Sequence, residues 1–271
     1  MMSSGIAFLL VTCCLEPSRV RILNEVLTNL VQQSPMLRTR LTVFDNASTE
    51  QGVTESLVQN FENVFRADKN VGYWSAIDWW LHEFRSPPTY TYIIESDMVH
   101  YDFAKLWDCQ AFLDNHPDVG SVRLHEYSVE NRHLYDKENP RHDSRRNSWH
   151  VHTNKVTGKP VAFFGSEGFI HTSSFLTQLP ALNRFEVLYD VFAKLEGLSN
   201  FSELDFQRLY WERYQQTGIL DGGIYNCDST YDPGVVTGSW TTPAELKRIG
   251  YQPTRNAKII PSDQYTVVRV R

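Results

Sequence analysis

Cysteine is scarce in this 271-residue chain: Cys13, Cys14, Cys109 and Cys227 are the only four, and no CxxC pair occurs among them. That excludes a dense disulfide framework and points to a reducing compartment. The adjacent Cys13 and Cys14 read better as small buried hydrophobes than as a vicinal disulfide. Long apolar runs are missing too, and none approaches the ~20 residues that span a bilayer. The apolar stretch at residues 6–15 lacks the basic leader and small-residue cleavage site of a signal peptide, and it leads into an amphipathic helical pattern. A cytoplasmic protein is expected, with peripheral membrane contact left open. There is no excess of basic charge: 26 Lys and Arg stand against 32 Asp and Glu, a net charge of -6. Sequence-independent nucleic-acid binding depends on neutralising phosphates, so no nucleic-acid partner is expected. Internal repeats and low-complexity segments are absent as well.

What is present is an alternation of strand-like and helix-like segments. Residues 6–11 form a continuous apolar run, and Ser18 reads as the cap of a helix whose Val20, Leu23, Val26, Leu27, Leu30 and Val31 share one face. Strands at 41–44 and 64–66 follow, with helices around 55–61 and through Trp74, Ile77, Leu81 and Phe84. Apolar strands separated by helices predict a parallel sheet covered on both faces, and ligands of such sheets sit beyond the carboxyl ends of the strands. Further on, a helix at 103–113, strands at 120–124 and 161–170, and helices at 187–195 and 206–217 are predicted, the last stopped by Gly218. Thr242-Pro243-Ala244-Glu245 has the form of a capping box that opens a final short helix. Residues 126–160 are crowded with charged and polar side chains, which marks a functional loop or a disordered one. This divides the chain at 1–125, 126–160 and 161–271.

The end of one strand carries an unusual charge pattern. Thr91-Tyr92-Ile93-Ile94 runs into Glu95-Ser96-Asp97, two carboxylates one residue apart. In an extended chain both point to the same side. A divalent ion held by oxygen would relieve their repulsion, and Mg2+ or Mn2+ suits carboxylates shared with substrate phosphates. The plainer reading is a solvated loop or an N-cap, with Asp97 or Asp102 capping the next helix.

Thr12 and Arg19, then Asp45-Asn46-Ala47-Ser48, then Asn70-Val71-Gly72-Tyr73-Trp74-Ser75-Ala76, then Glu95-Ser96-Asp97 resemble, in order and separation, the nucleotide-sugar half of glycosyltransferase family 2, of GT-A fold. The likeness resumes at Ser202-Glu203-Leu204-Asp205-Phe206, which looks like the family's acidic motif ahead of its acceptor-side helix. It implies an α/β, Rossmann-like, mostly parallel central sheet flanked by helices, with 1–125 as the nucleotide-sugar-binding half and 161–271 as the acceptor-binding half. Thr12 and Arg19 would lie near the nucleotide, and Asp45 would accept from the base, most naturally the N3 proton of uracil. Asn70 and Gly72 would let the backbone pass close to ribose and diphosphate. Glu95 and Asp97 stand at the family's DXD motif, with Glu in place of the first Asp. Asp97 would hold the Mn2+ or Mg2+ ion, and Glu95 would take the ribose side or reach the ion itself. Glu203 aligns with the general base and Asp205 with the carboxylate two residues on.

The implied activity is inverting, metal-dependent transfer of a sugar from a nucleotide-sugar donor, a UDP-sugar above all, to a hydroxyl of a glycan or related acceptor. One rival is a sugar nucleotidyltransferase, whose first strand would lead into a Gly-rich basic loop unlike Cys13-Cys14-Leu15-Glu16-Pro17. The other is a catalytically silent carbohydrate-binding protein of the same fold. Trp74 and Trp240 are candidates for stacking on a sugar. His150, His152 and His171 match no ligand spacing and read as surface or packed imidazoles.

Overall fold

Strand β1 (Ile6–Thr12) sends alternate side chains into two apolar cores: Ile6, Phe8 and Leu10 into one, Leu9 and Val11 into the other. Apolar residues on both faces mark a strand covered on both sides. The computed structural model describes residues 5–100, 102–125, 151–153, 160–166, 169–172, 180–214, 216–221, 224–226 and 257–270. After β1 come α1 (Pro17–Gln33), α2 (Leu37–Arg40), β2 (Leu41–Asp45), α3 (Val53–Asn60), β3 (Asn63–Ala67), α4 (Tyr73–His82), β4 (Tyr90–Glu95), β5 (Met98–His100), α5 (Lys105–Asn115) and β6 (Val119–His125). The second half contributes β7 (Val151–Thr153), β8 (Pro160–Ser166), β9 (Phe169–Thr172), β10 (Ala181–Arg184), α6 (Phe185–Leu195), α7 (Glu203–Trp211), β11 (Gln216–Asp221), β12 (Ile224–Asn226) and β13 (Val267–Val270).

The main sheet runs in the order β13-β3-β2-β1-β4-β10-β6-β11-β9-β8-β7. Its central strands from β3 to β11 are mostly parallel, and β10 alone among them runs against the rest. One face is covered by α1, α3 and α5, which bring Leu23, Val26, Leu30, Leu57 and Phe112 onto Phe8 and Leu10. The other is covered by α4, α6 and α7, which bring Ile77, Trp80, Leu188, Phe192 and Phe206 onto Leu9 and Val11. Each fully buried side chain of this size contributes about 1.5–3 kcal/mol, so the two cores hold the sheet between two helical layers.

Several local expectations are corrected. Helix α1 starts at Pro17 with Glu16 as its N-cap and no side-chain cap hydrogen bond, so Ser18 lies inside it rather than capping it. Ala104, not Asp97 or Asp102, is the N-cap of α5. The helix expected over 206–217 ends at Trp211, and Gly218 sits within β11, paired with Val122 and His171. Sheet pairing on both edges of β11 overrides a helical spacing of Phe206, Leu209, Tyr210 and Tyr214. Strand β10 has a single apolar pair and no local signature, and it forms because it fills the gap between β4 and β6. The hairpin β8–β9 agrees with the strand expected over 161–170. Most of the polar segment 126–160, the capping box at Thr242 and Trp240 lie outside the described residues.

The C-terminal segment returns across α4 and strand β3. Phe201 and Ala257 exchange backbone hydrogen bonds, Ile260 N–H donates to Ser75 Oγ at 2.9 Å, and β13 pairs antiparallel with β3. On the same face Asp78 of α4 packs near Glu196, which follows α6. Burial, then the charge of Glu196, pushes the Asp78 carboxyl up to about 7. His100 is a packed imidazole, its Nε2 2.7 Å from Tyr92 Oη, and burial lowers it to about 3.

Asp45 closes β2 with no solvent exposure, opposite Arg66 in the parallel ladder. Arg66 Nη1 donates to Asp45 Oδ2 and to Thr54 Oγ1, and Nη2 donates to Ser48 O at 2.8 Å. Arg66→Ala leaves a buried carboxylate without its cation and is expected to cost about 3–5 kcal/mol in urea unfolding. Arg66→Lys should recover only part, since a single ammonium cannot span the three acceptors. A loss near zero for the alanine variant would mean that Asp45 regains water instead.

Candidate functional site

The carboxyl ends of β1, β2, β3 and β4 meet at one edge of the sheet, where their loops bond to one another. Asn46 N–H donates to Thr12 O at 2.8 Å, and Cys14 N–H donates to Ser48 Oγ at 2.9 Å. Asn46 Oδ1 accepts from Val71 N–H at 2.8 Å, and its Nδ2 donates to Asn70 Oδ1 at 3.0 Å. Asn70 Oδ1 also accepts from Gly72 N–H at 2.9 Å. Gly72 sits at φ 84, ψ 162 as the N-cap of α4, a conformation open essentially to glycine alone. The sequence therefore demands glycine here, and the turn swings Tyr73 and Trp74 to the start of α4.

These loops border a cleft of about 640 Å³ lined by Val11, Asn70, Gly72, Trp74, Glu95, Ser96, Asp97, Lys258 and Ile260, among others. A volume of that size lies within the range of about 300–1,000 Å³ of small-molecule sites. Five of the residues singled out in the sequence share it: Asn70, Gly72, Trp74, Glu95 and Asp97. Arg19 joins them, its Nη1 3.6 Å from Asp97 Oδ2. Glu95 and Asp97 do not lie on one extended strand as expected. Glu95 ends β4, and Ser96 and Asp97 form the turn into β5, but both carboxylates still reach the cleft.

Thr12 and Asp45 lie behind this surface. Thr12 is 1% exposed with its Oγ1 3.6 Å from Cys14 Sγ. Asp45 has Oδ1 bonded to Ser48 N–H and Oδ2 to Thr54 and Arg66, so its acceptor capacity is largely used within the protein. The Cys13 and Cys14 thiols are free, and burial, then the Asp45 charge for Cys13, raises them, which keeps both neutral. Trp74 is half-buried against Phe192, Phe201 and Phe206, with ring centroids 5.7, 5.3 and 5.1 Å away. It ties the Gly72 turn to the start of α7 and offers only its remaining surface to the cleft.

Helix α7 opens with a capping box. Ser202 Oγ accepts from Asp205 N–H, while Asp205 Oδ2 accepts from Ser202 N–H and Oγ–H, both at 2.9 Å. Those bonds, the backbone one first, hold the Asp205 carboxyl below its ordinary value. Glu203 is the first residue of α7, and its side chain lies outside the described part. Two site features escaped the sequence. Arg66 could have been found by aligning the ends of β2 and β3, where it faces Asp45. Lys258 has no local signal, since it reaches the cleft through the returning C-terminal segment.

The topology is a GT-A-type fold, an α/β Rossmann-like arrangement with a mostly parallel sheet flanked by helices. The structure of S. aureus TarS 1-349 is similar over 83% of this chain and 61% of its own, with a TM-score of 0.52 and 15% identity. The same TarS fragment in complex with UDP-GlcNAc aligns over 80% of this chain and 56% of its own, with a TM-score of 0.50. GalNAc-T7 with UDP, GalNAc and Mn2+ is similar over 83% of this chain and 44% of its own, with a TM-score of 0.53 and 8% identity. The chain thus spans about three-fifths of the TarS fragment, at 61%, and less of GalNAc-T7. No family model matches the chain, and no curated protein matches it by sequence. Among the described residues no helix is long and apolar enough to cross a membrane.

Asp205→Asn tests the cap. A depressed carboxyl stabilises the fold above the ordinary Asp value near 3.9 and loses that contribution as pH falls through its lower folded value. The variant should lose about 0.5–1 kcal/mol at pH 7, with the difference from wild type fading in acid. An equal loss at pH 2 and pH 7 would rule out a contribution from the ionised cap.

Proposed function

We propose that this chain is an inverting, metal-dependent glycosyltransferase that moves a sugar from a UDP-sugar to a hydroxyl of a glycan or related acceptor. The carrying observation is the convergence of Glu95, Asp97, Arg19 and Lys258 on one cleft at the carboxyl ends of parallel strands. The neighbours solved with UDP-GlcNAc and with UDP, GalNAc and Mn2+ support a UDP-sugar donor and a divalent ion.

The residues fit such an ion. Glu95 and Asp97 present hard carboxylate oxygens at the cleft, the donor type that Mn2+ and Mg2+ accept alongside phosphate oxygens. The ion would neutralise charge that develops on the diphosphate leaving group. Lys258 adds a fixed positive charge to the same leaving group, and Arg19 holds Asp97 in place while partly balancing it. Asn70 and Gly72 leave the backbone open beside the ribose and diphosphate. Asp45 does its work indirectly, since its carboxylate shapes the loop that carries Asn46 and hence Asn70. Contact with the uracil N3 proton would have to use what remains of its acceptor capacity.

At the acceptor side the Ser202–Asp205 cap fixes the first turn of α7, and Glu203 on that turn removes the proton of the attacking hydroxyl as general base. Asp205 is then a positioning residue whose own oxygens are committed to Ser202.

Thermal melting with a panel of nucleotide sugars, with and without Mn2+, tests the donor step. A donor at about 100 times its Kd should stabilise the chain by about 2.7 kcal/mol, and only with the ion present. Asp97→Asn should abolish that gain and leave the unliganded melt nearly unchanged; retained Mn2+-dependent stabilisation in the variant would dismiss the assigned metal ligand. Turnover tests the base: Glu203→Gln should lower kcat by roughly two to four orders of magnitude while donor affinity barely moves. Full turnover in that variant would transfer the base role elsewhere.

A further inference from the structure

Away from the cleft, three side chains from two helices converge on a second site. Asp78 and His82 are four residues apart on α4 and so share one face, and Glu196 follows the last turn of α6. One ligand atom from each lies within 4.8 Å of the others. We propose that these three residues bind a divalent transition-metal ion of the Zn2+ class, which clasps α4 to the end of α6.

Three observations carry this. First, Asp78 has a side chain only 7% exposed, and its Oδ1 is buried with no hydrogen-bond partner. Buried carboxylate oxygens are normally satisfied, so this orphan, with His82 and Glu196 beside it, is open to a further bond. Second, His82 Nδ1 lies 2.9 Å from Asp78 O. A carbonyl can only accept, so Nδ1 carries the proton and Nε2 keeps a lone pair, the outer-shell arrangement that orients metal-binding imidazoles. That nitrogen is 3.9 Å from Glu196 Oε1. Third, the trio borders a cavity of about 620 Å³ that Asp263 and Tyr265 also line, room for water to complete the shell.

The chemistry of the donors selects the ion. One imidazole with two carboxylates suits Zn2+, whereas Mg2+ and Ca2+ prefer oxygen alone. Closing the ligand atoms to bonding distance needs only small side-chain movements of His82 and Glu196, which are 44% and 43% exposed. His82 lies roughly 15 Å along the helix axis from Gly72, at the rate of 1.5 Å per residue, so the site is separate from the cleft. The inference does not depend on the glycosyltransferase reading.

The test uses full-length chain stripped by chelator, titrated calorimetrically with Zn2+ alone, in the Asp97→Asn background so that the cleft carboxylates do not compete. One equivalent of Zn2+ is expected to bind and to raise the melting temperature. Adding Glu196→Gln, a conservative change at an exposed helix end, should weaken binding by more than the roughly 10–100-fold typical of losing an outer-shell partner. Adding His82→Ala should abolish it, with circular dichroism checking that the fold persists. No saturable binding in the Asp97→Asn chain, or binding unaltered by Glu196→Gln, would overturn the assignment.

Discussion

A buried charge organises the edge of the sheet that borders the cleft. Desolvating a carboxylate costs several kcal/mol unless a cation and hydrogen bonds replace the lost water. Asp45, with no exposure, meets that demand through Arg66, Thr54 and Ser48 N–H. The consequence is geometric. Satisfying Asp45 locks the exit of β2 to the exit of β3 and curls residues 45–48 back, with Ala47 in the left-handed region at φ 58. That curl presents Asn46 to Val71 and Asn70, which in turn set the Gly72 turn and the start of α4.

From there the dependence passes to packing. Trp74 leaves the Gly72 turn and lodges among Phe192, Phe201 and Phe206, so the same turn that borders the cleft anchors α6 and α7. The Gly72 turn beside the cleft and the helix bearing Glu203 are thereby coupled through one aromatic cluster. The C-terminal segment closes the arrangement, since Ala257 pairs with Phe201 while Ile260 bonds to Ser75 one residue beyond Trp74. Lys258 reaches the cleft because it sits between those two anchors.

How much of this was legible in the sequence follows from how local each cause is. Apolar runs such as 6–11 and 41–44 announce buried strands, and the face of Leu23, Val26, Leu27 and Leu30 announces α1, because burial alone explains them. Gly72 was singled out by resemblance, and the structure supplies its reason, since only glycine tolerates φ 84 with ψ 162. What failed depended on partners distant in the chain. Strand β10 exists only between β4 and β6, β11 takes its strand form from β6 and β9, and β13 pairs with β3 across some two hundred residues. Glu95 and Asp97 line one cleft, and a turn rather than an extended strand brings them there. Asp45 was assigned a contact with the base by resemblance, and only the pairing of β2 with β3 places Arg66 on its carboxylate.

The cleft also has a charge balance with a mechanistic consequence. Among the described residues, Glu95 and Asp97 share the cleft with Lys258 and the adjoining Arg19, two negative groups with two positive ones. A nucleoside diphosphate entering alone would bring negative charge that these residues already offset among themselves. A divalent cation entering alone would meet two carboxylates partly neutralised by their basic neighbours. Entering together, each compensates the charge of the other. On the proposed reading, metal and donor therefore bind with positive coupling. Linkage makes that coupling reciprocal: the factor by which the ion tightens the donor equals the factor by which the donor tightens the ion.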